Sequence, residues 1–156
     1  MRFLFTLFIA IIAFAAGVWY MGGFENASEV PNVPNTTTPT PAAQATYTNA
    51  DKNVIRVTTP QPGATVPSTF TVSGQARGNW YFEASFPLQV VDARGSRLLI
   101  TPVQAQGEWM TEEFVPFSAH ITVPNYTGAA TLVLHKDNPS GLPEHDASVS
   151  IPVIVQ

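Results

Sequence analysis

The stretch TFTVSGQARGNWYFEASFPLQVVD, residues 69–92, decides the fold class, because apolar residues recur at every second position on both sides of a short turn. Phe70, Val72 and Gly74 alternate with hydroxyl-bearing residues, which is the pattern of a β-strand with one buried and one wet face. GNWY reads as a turn, and ASFPLQVVD from residue 84 reads as the start of the next strand. The stretch therefore predicts consecutive β-strands rather than a helix.

The same pattern of short apolar runs, bounded by Gly, Pro, Asn and Asp, continues over residues 54–156, which form the predicted folded domain. It predicts about seven strands in about 103 residues, the size of an antiparallel immunoglobulin-like β-sandwich. The predicted strands are VIRVT from 54, TFTVSGQAR from 69, ASFPLQVVD from 84, RLLITPVQAQ from 97, FSAHITV from 117, ATLVLHK from 130 and VSIPVIV from 149.

Four prolines interrupt these strands, at positions 87, 102, 116 and 152. Proline has no backbone N–H to donate to a ladder, so each strand is expected to be an edge, or to bulge, at its proline.

The first 24 residues have the pattern of a membrane anchor. Residues 3–21 hold no charge and make about 29 Å of helix, close to the roughly 30 Å of a bilayer core. Arg2 precedes this segment and Glu25 follows it, which predicts a single-pass protein with its N-terminus in the cytoplasm and its domain outside the cell membrane. Ala13-Phe14-Ala15 keeps a cleaved signal peptide, and hence a secreted domain, as the alternative.

Residues 25–53 are poor in large aliphatic side chains and rich in Pro, Thr, Asn and Ala. This composition cannot bury a face, so the segment is predicted to be a disordered linker between anchor and domain.

The composition excludes several functional classes. Seven Lys and Arg against eleven Asp and Glu give a net charge of −4, so there is no basic surface for nucleic acid. The chain has no cysteine, which rules out disulfides, thiol nucleophiles and thiolate metal sites. No nucleophile motif or cofactor motif is present, and neither a catalytic residue nor a cofactor is expected.

Spaced motifs along residues 54–156 resemble the immunoglobulin-like domain of bacterial spore germination. The residues that carry this resemblance are Pro60–Gly63, Val66, Gly74–Arg77, Trp80, Phe82–Ala84, Phe86-Pro87, Asp92, Gly95, Trp109–Thr111, Phe114–Phe117 and Asn138–Gly141. The resemblance implies an extracytoplasmic, non-enzymatic β-sandwich of bacterial envelope proteins. It brings no catalytic residues.

Five residues near the predicted turns are the candidate binding site: Arg77, Trp80, Tyr81, Glu83 and Trp109. Aromatic residues beside turns either plug the end of a sandwich or stand exposed as a platform for sugar or peptide. Arg77 and Glu83 flank GNWY and are expected to face each other across a tight hairpin. The sequence thus favours a membrane-anchored module that binds or spaces an envelope protein or glycan, with carbohydrate or peptidoglycan binding as an alternative.

Two other kinds of site lack the residue spacing that they need. A hydrolase using Glu83 would need a second carboxylate, and the nearest candidates, Glu108, Glu112 and Glu113, belong to another predicted loop. The loop at residues 135–148 gathers Asp, Asn, Glu and His side chains but lacks the spacing of a calcium loop. The sequence therefore predicts no metal site.

Overall fold

A computed structural model of the chain describes residues 43–156, which form an all-β domain of nine strands and two short 3-10 turns. The strands are β1 (Thr46–Thr48), β2 (Ile55–Thr59), β3 (Ala64–Val66), β4 (Thr69–Arg77), β5 (Ser85–Asp92), β6 (Arg97–Ala105), β7 (Phe114–Thr122), β8 (Gly128–His135) and β9 (Ser148–Val155). The 3-10 turns lie at Gly78–Trp80 and Pro143–His145. All seven predicted strands are confirmed, and β1 and β3 are additions.

The strands follow one hydrogen-bonded path in the order β1-β9-β8-β5-β6-β7-β4-β2, and β3 pairs with β9. Every pairing is antiparallel except that of β3 with β9, which is parallel. The path folds back at β6 and β7, which share only the register pairs Gln104↔Ser118 and Ala105↔Phe117. Two arms result: β2, β4 and β7 form one, and β6, β5, β8 and β9, with β1 and β3, form the other.

The two arms pack their apolar faces against each other around a single core. Phe86 on β5 meets Phe117 on β7 in a T-shaped ring contact with centroids 5.2 Å apart, although these strands are not paired. The predicted inward positions of β4 are buried. The four predicted inward residues of β9 are buried too: Val149, Ile151, Val153 and Val155. Burial of alternate positions is therefore what holds this cysteine-free domain together.

Strand β1 lies within residues 25–53, the range assigned to the linker from sequence. Thr46 to Thr48 pair with Ser150 to Ser148, and Tyr47 packs half-buried against the core. A three-residue strand is too short to show an alternation, and its neighbours are the small and polar residues typical of linkers. The ordered part therefore begins before residue 54. The anchor segment and residues 25–42 of the predicted linker fall outside the described residues.

Three of the four prolines lie where the ladders allow them, whereas Pro116 lies inside β7, opposite Gln75 of β4. Pro152 falls between the part of β9 that pairs with β1 and the part that pairs with β3, so the outer partner of β9 changes at the residue that cannot donate. Pro102 lies on the stretch of β6 that has β5 as its only neighbour. Pro87 lies one residue before the ladder between β5 and β8 begins at Leu88.

No helix within residues 43–156 is long and apolar enough to cross a membrane.

Candidate functional site

Trp80 and Tyr81 lie in the core and not on a surface. Trp80 is 2% exposed and Tyr81 4% exposed. The Trp80 ring meets Phe86 edge-on at 6.5 Å, and Tyr81 lies 5.2 Å from the same ring. The Tyr81 hydroxyl donates a 2.8 Å hydrogen bond to the carbonyl of Val115, and burial raises the pKa of this phenol. These two aromatic residues plug the end of the sandwich.

The predicted aromatic platform is therefore wrong for two of its three rings. The physical reason is the path of the chain: the 3-10 turn at Gly78–Trp80 carries the backbone from β4 in one arm to β5 in the other. On this crossing the side chains of Trp80 and Tyr81 point into the space between the arms, whereas Asn79 and Phe82 are exposed. Trp109 packs half-buried against the core, and its neighbour Met110 is 74% exposed.

The predicted pair of Arg77 and Glu83 is also wrong, because β4 and β5 are not hairpin partners. Arg77 donates instead to the carbonyls of Asn53 and Glu112, at 3.1 and 2.9 Å, and lies 3.7 Å from the exposed carboxylate of Glu113. Its guanidinium also stacks on the Phe114 ring, 4.2 Å from the centroid. Arg77 thus fastens neighbouring loops and has little freedom to bind a ligand.

Phe114 has a second cation on it. The guanidinium of Arg56 also lies 4.2 Å from the ring centroid, so two arginines share one ring. Such contacts contribute roughly 0.5–1 kcal/mol each at exposed sites. Because Arg56, Arg77 and Phe114 belong to β2, β4 and β7, these contacts link the three strands of one arm.

Glu83 lies in a strained turn. Phe82 and Ser85 exchange both backbone hydrogen bonds, at 3.0 and 3.1 Å, and the two residues between them have positive φ angles, 48° at Glu83 and 60° at Ala84. Two-residue turns of this kind favour Asn and Gly, because a Cβ crowds the backbone in the left-handed region. This turn contains neither residue.

Ala84→Gly is expected to stabilise the protein by about 0.5–1 kcal/mol. Relief of the left-handed strain at Ala84 outweighs the entropy that glycine adds to the unfolded chain. Ala93→Gly is the matched control, because Ala93 is an exposed alanine in another turn and has no positive φ. Urea unfolding should show a higher midpoint for Ala84→Gly and a lower one for Ala93→Gly, and two equal decreases would contradict the account.

A groove lies where the β8–β9 loop, residues 136–147, meets the ends of β1 and β5. It has a volume of about 470 Å³, and its lining includes His135, Asp137, Asn138, Asp146 and Pro87. We call it the loop groove. The backbone N–H of Asp137 donates a 3.0 Å hydrogen bond to the carbonyl of Trp80. This bond ties the start of the β8–β9 loop to the buried tryptophan.

The loop is held in shape by its own side chains. The Asn138 amide donates to the carbonyl of Leu142 at 2.9 Å and to the carboxylate of Asp146 at 2.7 Å. Across the groove, Asn49 donates to the Asp146 carbonyl at 2.9 Å. The Ser140 hydroxyl donates to Asn138 Oδ1 at 2.6 Å. A groove ordered in this way keeps its polar atoms in place before any ligand arrives, which lowers the entropy cost of binding.

Two groups in the loop groove have shifted pKa values. Burial raises the pKa of the Asp137 carboxyl, and the negative charge of Glu83 raises it further. Burial lowers the pKa of His135, against the opposing influence of Asp146. The His135 Nε2 atom is buried and has no hydrogen-bond partner among the described residues. The groove therefore favours an uncharged imidazole at neutral pH.

The shift at His135 predicts a pH dependence of stability. An imidazole whose pKa is lower in the folded than in the unfolded chain takes up its proton more readily when unfolded, so its destabilising effect appears as the pH falls below about 6.5. The urea midpoint should drop between pH 7 and pH 5.5, and His135→Gln should remove part of that drop. Gln75→Ala, a non-titrating substitution at an exposed position of β4, is the control and should leave the drop unchanged. An unaltered pH profile in His135→Gln would contradict the assignment.

The carboxyl group influenced by Glu83 is that of Asp137, which the sequence did not indicate as a partner of Glu83. The residues considered there, Glu108, Glu112 and Glu113, precede β7 in a different loop, whereas the charge of Glu83 acts on Asp137. The polar composition of residues 135–148, which resembles that of a metal-binding loop without its spacing, is the sequence signal for the loop groove. Within residues 43–156, no three His, Asp or Glu side chains lie close enough together to hold a metal ion.

Comparison with known proteins gives one match. The model of a family described as the immunoglobulin-like domain of bacterial spore germination matches residues 54–142. These residues include β2 to β8 and most of the β8–β9 loop. No curated protein matches the chain significantly.

Proposed function

The chain belongs to the immunoglobulin-like domain family of bacterial spore germination, and from that premise we propose that it is a non-catalytic module that binds a cell-envelope component, protein or glycan, in the loop groove. The residues of the proposed site are His135, Asp137, Asn138 and Asp146. This replaces the surface predicted around Trp80 and Tyr81, whose rings are buried.

The observation that carries the proposal is the loop groove itself. Its volume of about 470 Å³ lies within the range of ligand sites, roughly 300–1,000 Å³. It presents carboxylate and amide groups on an ordered loop, and such groups fix the orientation of a polar ligand. A spacer without a ligand would not require these groups to be held open to solvent.

The location of the module is part of the proposal. The uncharged segment at residues 3–21, with Arg2 before it and Glu25 after it, supports a single-pass anchor in the cytoplasmic membrane with the domain on the outer side. Such an anchor would keep the loop groove within reach of envelope polymers and proteins. A secreted form, released by cleavage near Ala13–Ala15, is the alternative.

Asp137→Ala is expected to lower recovery of the envelope partner at least about tenfold, because a lost hydrogen bond to a charged group costs roughly 1.5–3 kcal/mol. The full chain in detergent would be cross-linked in bacterial envelope extract, and in parallel sedimented with purified peptidoglycan. Thr71→Ala, on the outer face of the other arm, is the control and should bind like the wild type. Equal recovery by all three chains would contradict the proposal.

The sedimentation experiment with purified peptidoglycan also shows whether the ligand is a glycan or a protein. Sedimentation of the wild type but not of Asp137→Ala with purified peptidoglycan would identify a glycan ligand. Recovery from extract alone would identify a protein.

Hydrolysis is a second candidate, favoured by one specific observation: Asp137 has a raised pKa and lies within the electrostatic influence of a second carboxylate, Glu83. Glu83 does not line the loop groove, and for that reason we favour binding. A hydrolase would release soluble fragments from peptidoglycan, and Glu83→Gln and Asp137→Asn would each stop the release. A binding module would release none.

A further inference from the structure

Residues 43–49, which include β1, lie along the edge of β9 and reach the loop groove. Strand β1 pairs antiparallel with the first three residues of β9, and the side chain of Tyr47 packs half-buried against the core. The next two residues, Thr48 and Asn49, line the loop groove. We call residues 43–49 the β1 strap. The strap is thus part of the wall of the proposed site.

Asn49 ties the β1 strap to the loop that forms the groove. Its side-chain amide donates a 2.9 Å hydrogen bond to the carbonyl of Asp146, a residue 97 positions further along the chain. The Asp146 carboxylate accepts the amide of Asn138 at 2.7 Å, and the same amide donates to the carbonyl of Leu142 at 2.9 Å. One series of hydrogen bonds therefore runs from the strap through Asp146 into the β8–β9 loop.

The backbone at Asn49 suits this contact. Its φ is 50°, in the left-handed region, which asparagine adopts more readily than most residues because its short polar side chain can hydrogen-bond locally. Asn49 lies in a bend directly after β1. An asparagine at this position provides both the bend that ends the strand and the donor that reaches Asp146.

The β1 strap is attached less firmly than the other strands at the groove. Strand β1 has three residues and a single neighbour, β9, whereas β5 and β8 each lie between two strands. Short edge elements with few buried contacts open locally at a lower free energy than the core. The strap is therefore the part of the groove that can move without unfolding the sandwich.

We propose that the β1 strap positions the β8–β9 loop for binding, so that a ligand binds the loop groove more tightly when the strap is docked on β9. This inference rests on the proposed function of the loop groove and adds Asn49 to it as a positioning residue. Coupling between two equilibria is reciprocal, so a bound ligand favours the docked strap to the same extent. Because the chain before residue 43 continues from the strap, ligand binding also holds the point at which that segment joins the domain.

Asn49→Gly tests the positioning role without a ligand. Glycine adopts a positive φ freely, so the substitution removes the amide and its hydrogen bond without straining the backbone. Amide hydrogen exchange of residues 136–147, measured on the full chain in detergent, should become at least about threefold faster, since one hydrogen bond is usually worth a factor of roughly two to ten. Exchange in β4 and β7 should not change. Asn125→Gly is the matched control, because Asn125 is exposed, has a similar φ of 56° and does not line the groove.

A disulfide can lock the strap and test its effect on binding, because the chain has no cysteine of its own. Thr46 and Ser150 face each other across the ladder. The Cα atoms of such pairs are roughly 4.5–5.5 Å apart, which a disulfide can span. Recovery of the partner from bacterial envelope extract should fall at least about threefold in Asn49→Gly. Adding Thr46→Cys and Ser150→Cys to that variant should restore recovery when the pair is oxidised and lose it again when dithiothreitol reduces the pair.

The exchange measurement and the lock can each overturn the proposal. Loop exchange in Asn49→Gly equal to that in Asn125→Gly would show that Asn49 does not hold the loop. A cysteine pair that fails to oxidise in the folded chain would show that β1 is not docked on β9. Recovery that stays at the wild-type level in Asn49→Gly while it falls in Asp137→Ala, or that the oxidised pair does not restore, would show that the strap does not position the site.

Failure of the proposed function gives a different result. Equal recovery by the wild type and Asp137→Ala would refute the loop groove as the binding site. The exchange of residues 136–147 needs no ligand, so in that case it alone decides whether the β1 strap holds the β8–β9 loop.

Discussion

Trp80→Ala is expected to lower the free energy of unfolding by about 3–5 kcal/mol, the usual cost of truncating a fully buried Trp or Phe to Ala. Trp80 is 2% exposed, lies edge-on to Phe86, and carries the carbonyl that accepts the backbone N–H of Asp137. Removal of the indole leaves a cavity at the end of the sandwich directly beneath the β8–β9 loop. Urea unfolding followed by far-UV circular dichroism measures the loss.

Two controls show that this effect comes from core volume. Trp80→Phe keeps most of the ring, and the indole Nε1 has no hydrogen-bond acceptor among the described residues, so we expect a cost of about 1 kcal/mol. Met110→Ala, at a 74% exposed position, should change stability by less than about 0.5 kcal/mol. A Trp80→Ala protein as stable as Met110→Ala would mean that Trp80 is exposed.

Gly74→Ala should cost about 3 kcal/mol or more, since the substitution overpacks a site that cannot relax. Gly74 is a buried residue in the middle of β4, where it pairs with Val57 of β2 next to an irregularity in the ladder. An added Cβ would overlap the backbone carbonyl of Arg56 and lie 2.6 Å from Cζ of Phe117. The first contact is with backbone and the second with a core ring, so neither can move away cheaply.

Gly95→Ala provides the matched comparison. Gly95 has a positive φ of 82° but no atom within 4 Å of an added Cβ, so only the left-handed backbone opposes the substitution. The expected cost is about 1–2 kcal/mol. If Gly74→Ala costs no more than Gly95→Ala in urea unfolding, then the close approach of β2 to β4 is not as we describe it.

The strands could be predicted from sequence because burial acts on every second residue. The alternation in β4 and β9 predicted which side chains are buried, and the seven runs gave seven strands at nearly their observed bounds. Strands β1 and β3 were missed because each has three residues, too few to repeat a pattern, and each is defined by pairing with β9.

The site was harder to predict, because it depends on which elements meet in space. The composition of GNWY is typical of a hairpin turn, and a hairpin would expose Trp80 and pair Arg77 with Glu83. The same four residues instead cross from one arm to the other, which buries Trp80 and turns Arg77 towards Glu112 and Glu113. The composition of a turn does not specify which strands it connects in the sheet.

The residues that line the loop groove are also brought together by tertiary structure and not by their order in the sequence. Asn49, Pro87, His135 and Asp146 are far apart in the chain and meet only because β1, β5, β8 and β9 are neighbours on one arm. The sequence identified the polar character of the β8–β9 loop, but it could not place the ends of β1 and β5 beside it.

The most direct test of the account compares two variants in one binding measurement. Trp80→Phe removes the indole and leaves the loop groove, whereas Asp137→Ala leaves every aromatic ring and removes a groove carboxylate. With the full chain cross-linked in bacterial envelope extract, and recovery normalised to folded protein, Trp80→Phe should recover the partner as the wild type does and Asp137→Ala at least about tenfold less. Loss of recovery in Trp80→Phe together with full recovery in Asp137→Ala would contradict the account and return the binding site to the aromatic residues.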